Sequence, residues 1–132
     1  AGWALSMLCE APALQTLTLD LGKTLIGDFG AEGLALLKDA PELQVLTLRL
    51  NDNQVADKGV LALVALKDAP KLRSLTLDLR GNLLGNESAI ALAELSQQSS
   101  LRSLTVDVRQ NVMTRKSLKI LEAALPKGSV II

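Results

Sequence analysis

Apolar residues fall at every second position in four short stretches: Leu17-Thr-Leu-Asp-Leu21, Leu46-Thr-Leu-Arg-Leu50, Leu75-Thr-Leu-Asp-Leu79 and Leu104-Thr-Val-Asp-Val108. Alternation of this kind is strand period, with one face buried and one face turned outward. Between the stretches the spacing changes to three. Leu34, Leu63, Leu92 and Leu121 are followed by Leu37, Leu66, Leu95 and Ala124, with small residues such as Ala31, Ala35, Ala62, Ala91 and Ala93 beside them. That pattern predicts one helix face packed closely on a strand layer. Each unit begins 29 residues after the last, at Leu14, Leu43, Leu72 and Leu101. A constant period of this length marks a solenoid, in which each unit buries its apolar face against its neighbours.

The punctuation agrees with the period. Asn53, Asn82 and Asn111 stand three residues beyond the last strand leucine or valine, where an asparagine can bond a turning backbone and its neighbour along the array. Thr24 occupies the equivalent place in the first unit and should weaken that turn. Asp28, Asp57 and Asn86 stand where caps of the following helices are expected. Pro41 and Pro70 should end two of the helices, because proline lacks the N–H that a continuing helix uses. In the same register Ala1–Pro12 matches Gly30–Pro41, a helix without its strand, and Val130–Ile132 falls where a fifth strand would begin.

These residues resemble a leucine-rich repeat protein, and within that family the ribonuclease-inhibitor-like subclass, with a strand and a full helix per repeat. The segment Leu77-Asp-Leu79-Arg-Gly-Asn82-Leu-Leu84 carries the resemblance best. It departs in having one more alternating apolar position per repeat, which predicts a longer strand. The resemblance implies an α/β solenoid, a right-handed β-α superhelix with a parallel sheet on the concave side and helices on the convex side. It implies one leucine-rich-repeat domain over 1–132. A partial repeat at 1–13 would precede repeats at 14–42, 43–71, 72–100 and 101–129, with a terminal strand starting at 130–132. Partner binding without a common chemistry is the implied role.

Composition narrows the function. Fourteen basic and fourteen acidic residues leave no net charge, against the basic field that a nucleic-acid binder or an anionic membrane surface requires. The longest apolar run, Val60–Leu66, is far shorter than a membrane span. One cysteine, Cys9, excludes an intrachain disulfide and favours a reducing, cytoplasmic location. There is no histidine or tyrosine, no complete phosphate-binding glycine loop and no metal-ligand spacing. No enzyme activity, cofactor or metal is expected.

The residues between the core leucines must face the concave side, and there they form three columns: Thr18, Thr47, Thr76 and Thr105; Asp20, Arg49, Asp78 and Asp107; and Gly22, Asn51, Arg80 and Arg109. The threonines suit a solvated strand face on propensity alone. Arg49 is placed to pair with both Asp20 and Asp78, and Arg80 and Arg109 to relieve the repulsion between Asp78 and Asp107. The lattice therefore reads as self-neutralising or as a charge pattern that selects a partner. Two aromatics, Trp3 and Phe29, are candidate exposed contacts on helix columns.

The expected function is a non-catalytic protein–protein interaction module working through the concave face or flanking loops. The alternative is a structural component of a larger assembly, docking by its ends or convex helices. Regulation of a small GTPase ranks third. The N-terminal end lacks a neighbouring strand, so self-association or further repeats are expected there.

Overall fold

A computed structural model describes residues 13–97 and 100–132. Strands and helices alternate: β1 (Thr16–Asp20), α1 (Gly27–Leu34), β2 (Val45–Arg49), α2 (Asp57–Leu63), β3 (Ser74–Asp78), α3 (Asn86–Ala93), β4 (Ser103–Asp107), α4 (Arg115–Ala124) and β5 (Val130–Ile131). The strands form one parallel sheet in chain order. From β1 to β4 the register is the repeat itself, so Leu17, Leu46, Leu75 and Leu104 lie side by side. Helices are wider than the roughly 4.8 Å between strands, so the array curves with the sheet inside. The chain has the α/β solenoid fold that the period predicts.

The inward columns make the core. Leu46, Leu75, Leu48, Leu77, Leu50 and Leu79 are fully buried against Leu34, Leu37, Leu63, Leu66, Leu92 and Leu95 of the helical layer. Leu17 and Leu19 of β1, and Leu21 just after it, are only partly buried. Each of α1 to α3 runs into a 3₁₀ turn, ending at Asp39, Asp68 and Ser96. Ala40 and Ala69 then adopt extended backbone (ψ 116° and 126°), as residues before proline must. The proline stops at 41 and 70 act as expected.

The asparagine column ties coil to coil. Asn82 Oδ1 accepts the N–H groups of Asn53 and Val55 in the preceding repeat, at 3.0 and 2.9 Å. Its Nδ2 donates to the carbonyls of Leu50, Leu79 and Arg80. Asn111 and Asn53 do similar work for the repeats before them. No buried side-chain nitrogen or oxygen among the described residues lacks a partner. Thr24 keeps part of the function: its Oγ1 donates to the Leu21 carbonyl at 2.6 Å, as Asn82 donates to that of Leu79. The first turn is closed, and what the threonine gives up is an amide to reach further.

The caps differ from expectation in an instructive way. Asp28 and Asp57 do not cap their own helices; each caps the next one. Asp28 Oδ1 accepts from the N–H of Ala56 and of Gly59, at 2.7 and 3.0 Å. Asp57 Oδ1 accepts from Gly85, from the Ser88 N–H and from the Ser88 hydroxyl. The residues at the N-cap positions are Ala56 and Gly85, which carry no acceptor, so the previous coil supplies one. Gly59 permits the approach: a Cβ there would lie 2.6 Å from Asp28 Oδ1. Burial works against ionisation of Asp57, but the Ser88 hydroxyl and the Gly85 and Ser88 N–H groups outweigh it and hold its pKa below the ordinary carboxylate value. Asn86 Oδ1 likewise accepts from Thr114, which caps α4 itself through Ser117 N–H.

The last repeat breaks the period. Ala124 is exposed, and Leu125 takes the buried place that Leu37, Leu66 and Leu95 hold earlier. Helix α4 has no 3₁₀ extension; a turn at Pro126–Ser129, with Gly128 at φ +85°, returns the chain early. Val130 therefore pairs with Val106, not with Leu101 as the 29-residue register requires.

Candidate functional site

The outward columns of the sheet lie where the alternation puts them. Thr18, Thr47, Thr76 and Thr105 are register partners, the first exposed and the others half-buried. Asp20, Arg49, Asp78 and Asp107 form the next row. The ladder continues beyond the strands, with Leu21 N–H on the Arg49 carbonyl and Lys23 N–H on that of Asn51. This carries Gly22, Asn51, Arg80 and Arg109 into a third row. Gly22 leaves room for its neighbour: a Cβ there would sit 2.5 Å from Asn51 Oδ1. The ladder then turns through a left-handed residue in every repeat, Lys23, Asp52, Gly81 and Gln110, with φ between 57° and 66°. Only one of the four is glycine, although side chains disfavour this region.

The charged rows are not uniform. Asp78 and Asp107 each accept a two-pronged arginine fork from the residue two positions on. Arg80 reaches Asp78 at 2.9 and 2.8 Å, and Arg109 reaches Asp107 at 3.0 and 2.7 Å. Each carboxylate also accepts the N–H of that arginine, closing an Asx turn at the strand end. Arg80 Nε stands 3.5 Å from Asp107 as well, so the arginine bridges the two like charges as predicted. The fork, helped by the nearby Arg109 charge and opposed by burial, holds the Asp78 carboxyl below its ordinary pKa. Asp107 is buried, a state that its place on the outward face did not suggest; two arginines and strand β5 cover it.

Arg49 behaves otherwise. It faces Asp20 at 3.9 Å, with both side chains more than half exposed, and makes no ion pair with Asp78 among the described residues. The expected double pairing fails because Arg80 already occupies both oxygens of Asp78. Phe29 is 84% exposed at the start of α1. Trp3, Cys9 and the partial repeat at 1–13, apart from Ala13 in it, lie outside the described residues.

Sequence reading missed two outward groups. Thr16, Val45, Ser74 and Ser103 form a fourth outward row, which alternation alone could have found. Gln15, Gln44, Arg73 and Arg102 lie one residue earlier, where alternation breaks down and the chain turns into the sheet. Among the described residues no group of His, Cys, Asp or Glu is gathered as for a metal ion, and no helix is long and apolar enough to cross a membrane.

A family model described as Leucine Rich repeat matches residues 44–64 and 71–93, spanning parts of two of the repeats. A solved structure described as the tropomodulin C-terminal domain, from Caenorhabditis elegans, is similar in fold: TM-score 0.64, 16% identity, with 93% of this chain and 74% of that one covered. No curated protein matches the sequence. The repeated strand, turn asparagine and helix, the unbroken parallel sheet and these likenesses agree: the chain carries leucine-rich repeats over residues 44–64 and 71–93 and has the fold of a leucine-rich-repeat solenoid.

Proposed function

We propose that the chain is a non-catalytic recognition module that takes a protein partner on its outward sheet face. The supporting observation is the alignment of Thr18, Thr47, Thr76 and Thr105 with the charged row beside them, an ordered polar surface spanning four strands. Hydroxyls at strand spacing offer both donors and acceptors to a partner, and the fixed forks at Asp78 and Asp107 present their charge without rearrangement. The face has arginines as its only residues of the kind that usually anchor interfaces, which suits a polar contact of modest affinity. Leucine-rich repeats commonly serve protein interaction, and the repeat identity supports the same reading.

A second reading has one observation in its favour. Leu61 and Ile90, on adjacent helices of the convex side, are 55% and 62% exposed, as a face docked into a larger assembly would be. Affinity capture from the native source separates the two. Thr47→Trp with Thr76→Trp obstructs the sheet face, and Leu61→Lys with Ile90→Lys spoils the convex one. The first pair should abolish capture and the second leave it intact. The reverse pattern would replace the concave reading with the convex one.

A further inference from the structure

Arginine stands at matched positions of neighbouring repeats twice: at 80 and 109, and at 73 and 102. At the first pair the chain supplies its own counter-charges, Asp78 and Asp107, two residues before each arginine. At the second pair the residues two before are Lys71 and Ser100. We propose that the missing carboxylates come from outside: Arg73, Arg102 and Lys127 form a seat for an Asp- or Glu-rich segment of a protein partner. The inference rests on the reading of the chain as a protein-recognition module and assigns the chemistry of the segment it takes.

The backbone holds this rim firmly. The Gln44 carbonyl accepts from Arg73 and Ser74, at 2.9 and 3.0 Å, and the Arg73 carbonyl from Arg102 and Ser103, at 2.8 and 3.0 Å. The two arginines thus leave the sheet about one strand spacing apart, roughly 4.8 Å, where like charges repel. Among the described residues the Arg73 guanidinium donates to a neutral acceptor, Gln44 Oε1, and has no ion pair. Arg102 and Lys127 have no ion pair among the described residues. Glu42 is held through both oxygens by Lys71, at 3.0 and 2.9 Å.

Two open grooves meet at Arg102. One, of about 490 Å³, runs along Gln44, Pro70, Lys71, Arg73 and Ser100. The other, of about 400 Å³, passes Ser103, Pro126, Lys127 and Ser129. Among the described residues no Asp or Glu lines either. Together they give an extended trough with cations along it, suited to a strand or loop of peptide whose carboxylates accept the arginine forks. A nucleic-acid strand fits less well, because the basic track is three or four charges long and the chain as a whole is neutral.

The test titrates a fluorescein-labelled oligoglutamate peptide into the whole chain at low and at physiological salt. Arg73→Gln with Arg102→Gln should weaken binding about tenfold or more. Both side chains are exposed, so the melting temperature should stay at the wild-type value. Binding should weaken with salt and be unaltered by Thr47→Trp with Thr76→Trp. Equal binding to the wild type and the arginine variant would overturn the seat, as would no binding at all. Tighter binding of a short single-stranded DNA would overturn the peptide assignment. A concave-face block that abolishes partner capture while the arginine pair is inert toward the peptide would sink this inference and leave the recognition reading standing.

Discussion

The first two strands and the next two carry the same kind of outward row, yet they hold charge differently. Asp20 and Arg49 face each other at 3.9 Å across strands, more than half exposed. Asp78–Arg80 and Asp107–Arg109 close within one strand at 2.8 and 2.7 Å, and their carboxylates are 16% and 11% exposed. The difference lies two residues along. Gly22 and Asn51 follow Asp20 and Arg49, whereas Arg80 and Arg109 follow the other two. A residue two along a strand shares its face, so a planar guanidinium there can grip the carboxylate with both prongs. A pair across strands has no such pre-set geometry, and an exposed pair contributes little. The first repeat alone is also looser inside: Leu19 is partly buried where Leu48 and Leu77 are sealed.

The sharpest break of this comparison is in the core. Leu77→Ala should cost about 2–5 kcal/mol in urea unfolding, from lost burial plus the cavity left behind. Leu19→Ala should cost clearly less, because its neighbours leave it open to solvent. Equal costs would mean that the two ends are equally well packed.

Next in size is the turn column. Asn82→Ala takes the side-chain partner from the buried N–H groups of Asn53 and Val55 and from the Leu50 carbonyl, whereas the Leu79 and Arg80 carbonyls keep Asn111 Nδ2 and the Asp52 N–H, and it should cost about 2–3 kcal/mol. Thr24→Ala, in the exposed first turn, should cost about 1 kcal/mol or less. Hydrogen exchange would localise the loss to the N–H groups of Asn53 and Val55.

The smallest effect concerns pH. Asp57 and Asp78 have folded-state pKa values below the unfolded value near 3.8. Their stabilisation is therefore present above about pH 4 and disappears as pH falls through the lowered folded values. Asp78→Asn should remove part of that acid-limb loss from a pH series of melting temperatures, and Arg80→Gln should do the same by releasing the fork. Arg49→Gln, which does not touch Asp78, should leave the loss in place. An acid limb that responds alike to all three would contradict the division between the ends.

How the chain could be read follows from these same residues. The leucine column at 46, 75 and 104 and the asparagines at 53, 82 and 111 were legible because each recurs at a fixed interval. Translation along a solenoid turns recurrence in sequence into adjacency in space. The threonine row followed from the alternation by elimination. The caps did not. Asp28 and Asp57 look local, and only the packed array reveals that their acceptors serve the next helix. The register of the fifth strand escaped for a related reason, since a shortened return at Pro126–Ser129 is invisible to a period measured on complete repeats.

By itself, then, the order of residues determined the strand–helix alternation, the inward and outward faces and the parallel register of four strands. All of these depend on side-chain spacing that repeats. Only the tertiary structure decided which partner each polar group takes: Arg80 rather than Arg49 for Asp78, the next coil for Asp57, and no ion pair within the described residues for Arg102. Hydrophobic burial is non-directional and can be counted along a chain, whereas hydrogen bonds and ion pairs depend on distances and angles that exist only once the coils are stacked.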